Sequence, residues 1–265
     1  LLANGISSGR GNSGGDEPAD SRFYYLAPTR GLANTGAAAA TIALPPVITA
    51  TDAGGLETSS LYASGPVTVQ LTSSQADTII RYTLDGSEPT GQSLIYDSPL
   101  QVSRSTVIRC RAERPGSLFS AEAVRTLLFA DPHDLPVVTL TIDPADFTGS
   151  AGVWSDYRTK HEKAGSVSFY ETDGTWGVTF NTGVALHGSY SRTELQKSLE
   201  FNLRELYGDS QVTYPFFPDN DVSTFKRLIL RTSGQDWKIS KLRDAFMSEV
   251  IEDDLAVDTM DWRPC

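Results

Sequence analysis

Short runs that alternate apolar and polar residues, separated by turn residues, begin near Pro45 and set the strongest limit on the fold. Residues 67–71 and 80–84 both alternate in this way, and the second run ends at Asp85-Gly86. A period of two is typical of strands with one buried face, and an Asp-Gly pair favours a tight turn because glycine accepts a positive φ. These residues therefore predict an antiparallel β-sandwich.

Two further runs complete this predicted domain. Residues 107–112 place Cys110 on an apolar face and two arginines on the other, which makes Cys110 a small core residue. Residues 123–130 would supply the closing strand, and the Asp-Pro-His-Asp run that follows indicates a boundary. We predict one domain over residues 45–130, a length close to that of known sandwiches.

Residues 79–90, with the sequence IIRYTLDGSEPT, and residues 105–112, STVIRCRA, resemble the chitobiase C-terminal immunoglobulin-like module. Members of that family are usually accessory domains of secreted glycan-handling or surface proteins. The resemblance implies either a spacer, which we favour because a fold alone does not establish a site, or a carbohydrate-binding module. For the second alternative, the ligand-facing candidates are Tyr82, Tyr96 and Asp85.

A second domain is predicted over residues 135–265. Its strands are expected at residues 135–142, 165–171, 175–180, 183–186, 197–204 and 226–230. Residues 236–256 predict a helix with an apolar stripe. The stripe consists of Ile239, Leu242, Phe246, Val250 and Ile251. Basic residues at the start of this helix and acidic residues at its end oppose the helix dipole, which indicates an anionic partner at the start, either an acidic side chain or a phosphate.

Lys197 begins a strand in which Leu199 and Phe201 share its face. Because burying an unpaired ammonium is costly, either the side chain extends to solvent at the strand end, or a carboxylate or nucleotide phosphates hold it. Just upstream, residues 187–192 offer a glycine, hydroxyls and Arg192, which could present donors to phosphate. His187 fits a satisfied turn residue better than a base or a ligand.

The oxygen-rich run at residues 219–221 lacks the spacing of an EF-hand loop and predicts a solvated turn, so the sequence assigns no metal site.

Several segments of the second domain resemble, in order and spacing, the CotH family of spore-coat-H-like proteins related to atypical kinases. They are LPVVTLTID (135–143), GVALHGSYSR (183–192), QKSLEFNLRELYG (196–208), YPFF (214–217), FKRLILRTSGQDW (225–237) and LRDAF (242–246). The resemblance implies the β-rich front lobe of an atypical kinase-like fold, with ATP and Mg as cofactors. The predicted fold class is thus mainly β with an α+β C-terminal part.

Carried onto this chain, the CotH resemblance makes Lys197 the phosphate-contacting lysine and Arg192 a phosphate neighbour. A supporting polar cluster would consist of Arg231, Arg243 and Asp244. The usual lysine pair is Gln196-Lys197 here, so this assignment assumes that the second position is the functional one. We expect the metal-binding and acceptor-side residues beyond Cys265, which leaves the catalytic residues unknown and this piece inactive by itself.

The formal net charge of −11, with scattered basic residues, argues against nucleic acid as a general partner. No apolar run approaches the roughly 20 residues of a membrane span. Residues 1–44, rich in small and polar residues, predict a connector or the tail of a preceding domain. We expect a fragment of a secreted or cell-surface CotH-like kinase acting on a surface protein; the alternative is a non-catalytic attachment or carbohydrate-binding protein.

Overall fold

The structure is a computed structural model that describes residues 6–9, 23–26, 38–218, 220–233, 236, 238–255 and 259–265. It divides into two compact units. The first comprises Leu1–His133 with Asp173–Trp176, and the second comprises Asp134–Thr172 with Gly177–Cys265. Both units are rich in antiparallel strands, so the predicted mainly β fold class is confirmed.

The first unit contains twelve strands among its described residues. They are β1 (Ile6–Gly9), β2 (Phe23–Leu26), β3 (Ala38–Ala39), β4 (Thr41–Ile42), β5 (Val47–Thr51), β6 (Val67–Thr72), β7 (Ile79–Thr83), β8 (Leu94–Ile95), β9 (Leu100–Val102), β10 (Thr106–Glu113), β11 (Ser117–Leu118) and β12 (Ala123–Leu127). Strands β1 to β4 lie where the composition predicts a connector; the rest of residues 1–37 lies outside the described residues.

Two sheets of the first unit share one hydrophobic core. One sheet has the strand order β12-β10-β7-β8 and the other the order β5-β6-β9. The core between them consists of Ala50, Val67, Val69, Leu71, Ile80, Val102, Ile108, Cys110 and Leu127. Alternation on each strand sends these side chains to one face, so the predicted sandwich and the core position of Cys110 are confirmed. Burial raises the pKa of the Cys110 thiol to about 12.

The second unit is built around one five-stranded sheet. Its elements are β13 (Val137–Ile142), α1 (Pro144–Thr148), β14 (Glu162–Tyr170), β15 (Trp176–His187), β16 (Ser198–Asn202), β17 (Val212–Thr213), β18 (Thr224–Phe225), β19 (Arg227–Leu230) and α2 (Arg243–Leu255). The strand order is β13-β14-β15-β16-β19, and β17 pairs with β18 separately. Strand β15 includes the run predicted at 183–186 and all but the first residue of the run predicted at 175–180, so the two predicted strands are one.

The two faces of the five-stranded sheet differ in chemistry. On one face the register pairs Val184 with Phe201 and Leu199 with Leu230. The first three belong to the buried core cluster, and Leu230 packs against it. On the other face Ala185 pairs with Glu200. The apolar row predicted in the strand after Lys197 is thus confirmed, and the same strand carries a polar row on its opposite face.

Helix α2 begins at Arg243 rather than at Asp236, where the spacing predicts it. Lys241 has φ 61°, a left-handed conformation that no helix interior contains. The carboxylate of Asp236 instead accepts hydrogen bonds from the Ser240 hydroxyl at 2.5 Å and from the Arg243 N–H at 3.2 Å. These bonds form a polar turn ahead of the helix.

Candidate functional site

The loop between β15 and β16, residues 188–197, carries both residues that the sequence assigns to phosphate. It opens at Gly188, whose φ is +97° and where a Cβ would lie 2.3 Å from the Ser191 Oγ, so a larger residue would be strained. A 3-10 turn over Tyr190–Thr193 follows and carries Arg192. The chain then enters β16 directly after Lys197.

Lys197 is 9% exposed, so its side chain does not reach into solvent as one alternative expects. Its Nζ donates a hydrogen bond to the Glu194 carbonyl and lies 5.5 Å and 5.1 Å from the ring centroids of Trp154 and Tyr157. Cation-π attraction of this kind offsets part of the cost of burial. Among the described residues no carboxylate pairs with Lys197.

Arg192 is half-buried and incompletely bonded. Its Nε donates to the Ser189 carbonyl at 3.4 Å. Its Nη1 is fully buried and finds no hydrogen-bond acceptor among the described residues. A buried guanidinium nitrogen without an acceptor is unusual, because such donors are nearly always satisfied. An anion placed in this loop would provide the missing acceptor.

A charged cluster centred on Glu200 lies on the polar face of the sheet. Glu200 is 5% exposed, and its carboxylate binds the Lys160 ammonium at 2.9 Å, His187 Nδ1 at 3.3 Å and the Asn202 amide at 3.2 Å. Burial alone would raise the pKa of Glu200, but the bonds from Lys160, Asn202 and His187 outweigh it and lower the pKa to about 2. The carboxylate is therefore ionised at neutral pH.

His187 is thus held by a buried carboxylate and is not simply a turn residue. Glu200 was not predicted as a site residue, although strict alternation in β16 places Ser198, Glu200 and Asn202 on one face. Polar residues at every second position of this strand, opposite its apolar row, were the sequence pattern that could have pointed to Glu200.

Glu162 extends this cluster along the same face. It accepts a hydrogen bond from the Asn202 amide at 2.9 Å and pairs with Arg204 at 3.0 Å. Burial and a hydrogen bond with Glu162 raise the pKa of Tyr207 to about 12. A Cβ on Gly183 would lie 2.3 Å from the Tyr207 ring and 2.7 Å from a Glu162 carboxylate oxygen. The cluster therefore requires glycine at position 183.

Replacing Gly183 with alanine is expected to destabilise the second unit by about 1 to 3 kcal/mol, since the added methyl group overpacks this site. Chemical unfolding followed by tryptophan fluorescence measures the change. Gly91→Ala serves as a control, because a Cβ there meets no atom within 4 Å. Because Gly91 belongs to the first unit, its variant should leave the second unit as stable as in the wild type. A second unit that is as stable in Gly183→Ala as in the wild type would show that Tyr207 and Glu162 move aside at little cost.

The polar cluster predicted at Arg231, Arg243 and Asp244 forms in part. Arg231 and Asp244 are joined by an ion pair, which links the end of β19 to the first turn of α2. Arg243 pairs instead with Asp236, at 3.3 Å. A side-chain hydrogen bond from Ser240 is the first of several contacts that lower the pKa of Asp236. The basic start of α2 thus meets an acidic side chain, the first of the two alternatives.

The candidate carbohydrate residues of the first unit have structural contacts. Tyr82 and Tyr96 meet edge to face at 6.4 Å between centroids and pack partly buried against the sandwich core. The exposed Asp85 accepts hydrogen bonds from the Ser87 hydroxyl at 2.6 Å and the Ser87 N–H at 3.0 Å, which lower its pKa. Their part in binding a sugar stays a prediction.

An ion-pair network covers the outer face of the four-stranded sheet. Arg109 is 8% exposed and donates to Glu122 through Nε at 2.9 Å and Nη2 at 2.5 Å, while its Nη1 donates to the Gly86 carbonyl at 2.6 Å. Arg111 adds a second pair with Glu122, at 3.3 Å. Arg109 thereby fixes the Asp-Gly turn to the neighbouring strand.

No group of three or more His, Cys, Asp or Glu residues in the described part of the chain is placed to hold a metal ion. The Mg²⁺ that the CotH resemblance implies stays a prediction, since one or two carboxylates together with nucleotide phosphates are enough to hold such an ion. In the same part of the chain no helix is long and apolar enough to cross a membrane.

Comparison with known families gives one match. Residues 58–123 match the model of the Chitobiase/beta-hexosaminidase C-terminal domain, and this range includes β6 to β11 with the start of β12. No curated protein and no solved structure gives a significant match to the chain. The resemblance of residues 135–265 to the CotH family stays a prediction. Residues 58–123 thus form an immunoglobulin-like module of the chitobiase C-terminal type.

Proposed function

We propose that the loop at residues 188–197 binds the phosphates of a nucleotide. In this proposal the chain belongs to a secreted or cell-surface CotH-like protein that phosphorylates hydroxyl side chains of a protein substrate with ATP. One observation carries the proposal: the loop holds the buried Lys197 and the half-buried Arg192, whose Nη1 is buried without an acceptor, and the described residues supply a carboxylate to neither side chain.

The energetics favour an anionic ligand at this loop. An unsatisfied buried donor costs about 1 to 3 kcal/mol, and more when the group is charged. A phosphate offers several oxygens, and the planar guanidinium of Arg192 matches two of them at once. Lys197 would act as a point charge beside it, held in place by Trp154 and Tyr157. The loop is therefore suited to phosphate more than to a neutral ligand.

The described residues account for binding and not for the whole reaction. ATP would supply the phosphoryl group, while Arg192 and Lys197 would orient its phosphates and neutralise their charge. Because neither metal ligands nor an acceptor-side base is assigned among the described residues, we derive no transfer step from them. Catalysis by the parent protein stays a proposal that rests on the CotH resemblance.

The immunoglobulin-like module is proposed to be a spacer that orients the second domain at the cell exterior. Its two candidate aromatic residues, Tyr82 and Tyr96, pack against the core, which leaves less of each ring for a sugar face. Modules of this type on secreted glycan-handling proteins support the extracellular location.

Isothermal titration calorimetry with ATP tests the site. We expect the wild-type chain to bind ATP, and Lys197→Met to weaken the affinity at least about tenfold, because a charge-assisted hydrogen bond is lost. Arg192→Met should have a similar effect. Lys226→Met is the matched control, since Lys226 is an exposed cation of the same unit and lies outside the loop.

Binding of ATP that survives both substitutions would place the phosphates elsewhere and reject the site. Absence of ATP binding, together with glycan-array binding by the same chain, would favour the carbohydrate-binding alternative.

A further inference from the structure

A cavity of about 90 Å³ lies against the apolar face of the five-stranded sheet in the second unit. Phe169 of β14, Phe180 of β15 and Phe201 of β16 line its inner wall, and each is at most 5% exposed. Phe216, from the segment between β17 and β18, also lines the cavity and is buried. Deeply buried rings thus enclose this space, which distinguishes it from an exposed apolar face.

The lining offers few side chains that form hydrogen bonds. Apart from Arg263 and Cys265, the lining residues that the structure describes are apolar. Arg263 is already bonded, because its Nη2 donates to the Glu171 carboxylate at 2.5 Å and its Nη1 to the Phe216 carbonyl at 3.3 Å. A charged or polar ligand group would lose its bonds to water in this cavity, which is costly. The lining therefore favours an uncharged, apolar group.

The aromatic rings of the wall meet edge to face. The centroids of Phe169 and Phe216 lie 5.3 Å apart with the rings at 84°, and those of Phe180 and Phe216 lie 6.4 Å apart with the rings at 83°. Such rings attract a further ring, because its positive edge can meet a negative face. Apolar cavities of the same order of size take up single aromatic rings such as benzene.

We propose that this cavity binds a small, uncharged molecule through a single aromatic ring. An adenine base is a poor match, because its ring nitrogens and amino group would be buried without partners. None of the described lining residues belongs to the loop at residues 188–197, so the proposal does not depend on phosphate binding. A ligand of this size binds weakly, with a dissociation constant of about 0.1 to 10 mM.

The thiol of Cys265 reports on the cavity, because Cys265 lines it and is exposed. Modification of the full chain by iodoacetamide at increasing toluene concentration, followed by mass spectrometry, measures occupancy. We expect saturating toluene to slow the modification of Cys265 at least about threefold, because a thiol must be accessible to react. Cys110 is fully buried and should not react, so the signal belongs to Cys265. Cyclohexane should bind at least about threefold more weakly than toluene, because it lacks the edge-to-face contacts.

Two substitutions at half-buried lining positions change the size of the cavity. Leu228→Trp adds a bulky side chain and should weaken toluene binding at least about tenfold. Leu206→Trp is the matched control, because Leu206 is exposed in the same unit and lies outside the lining. Phe217→Ala removes a ring from the lining and should allow naphthalene, which is too large for the wild type, to protect Cys265. Such a gain of binding cannot arise from loss of the fold.

Modification of Cys265 at the same rate with and without toluene overturns the proposal. So does protection by toluene that Leu228→Trp leaves unchanged, since that result places the ring elsewhere. Protection by adenosine but not by toluene would make the cavity a nucleobase pocket and would also contradict it. Lys197→Met should bind toluene as the wild type does, whether or not it binds ATP, so this proposal and the phosphate site fail separately.

Discussion

Replacing Arg109 with methionine is expected to destabilise the first unit by about 3 kcal/mol or more, since breaking a buried ion pair leaves the other charge uncompensated. Glu122 would keep its contact with Arg111 at 3.3 Å but lose two shorter bonds, and the Gly86 carbonyl would lose its donor. The Asp-Gly turn should loosen as a result. Hydrogen exchange of the β7 and β10 amides measures this locally.

Two further variants separate the ion pair from general packing. Arg104→Met removes an exposed arginine of the same unit and should change amide exchange little. Arg109→Met combined with Glu122→Gln should recover part of the lost stability, because no buried charge then remains unpaired. Equal destabilisation by Arg109→Met and Arg104→Met would show that the network contributes nothing specific.

The second large effect is expected from Glu200 and depends on pH. Its pKa of about 2 in the folded chain lies below the ordinary value of 4.5, so the unfolded chain takes up this proton at a higher pH. The stabilisation is therefore fully present above about pH 4.5 and is lost as the pH falls towards 2. This contribution to the free energy of unfolding is about 3 kcal/mol, because each unit of pKa difference between the folded and unfolded chain corresponds to about 1.36 kcal/mol.

Glu200→Gln should remove this contribution. We expect the variant to be less stable than the wild type by up to about 3 kcal/mol above pH 5, with the difference shrinking to near zero at pH 2. Glu205→Gln, which alters an exposed carboxylate in the same unit, is the control. Unfolding free energies that decline in parallel for wild type and Glu200→Gln between pH 4.5 and 2 would contradict this assignment.

The strands were predictable because burial on one face leaves a period of two in the sequence. Ile80 and the row after Lys197 show this directly. The Asp-Gly pair follows the end of β7, but a loop of residues 84–93, rather than a tight turn, connects β7 to β8, and Leu84 is exposed. The sequence correctly predicted that α2 is a helix, but it placed the first residue of the helix too early. The stripe at Ile239 and Leu242 has helical spacing, whereas the local hydrogen bonds of Asp236 determine where the helix begins.

Of the candidate site, only the two cationic residues could be predicted from the sequence. Lys197 and Arg192 could be named because a charged residue beside an apolar row and a glycine-containing loop are visible locally. Trp154 and Tyr157, whose rings contact Lys197, precede it by about 40 residues in the sequence. The residues around Lys197 therefore give no pattern from which this contact can be predicted. The contacts of Glu200 with Lys160 and His187 likewise join residues that are distant in the sequence.

The central claim, that Arg192 and Lys197 hold phosphate, is tested most directly by a crystal structure of the chain with ATP. We predict phosphate oxygens within hydrogen-bond distance, about 2.7 to 3.2 Å, of Arg192 Nη1 and Lys197 Nζ. Nucleotide bound at another surface, with Arg192 Nη1 still without an acceptor, would contradict the account.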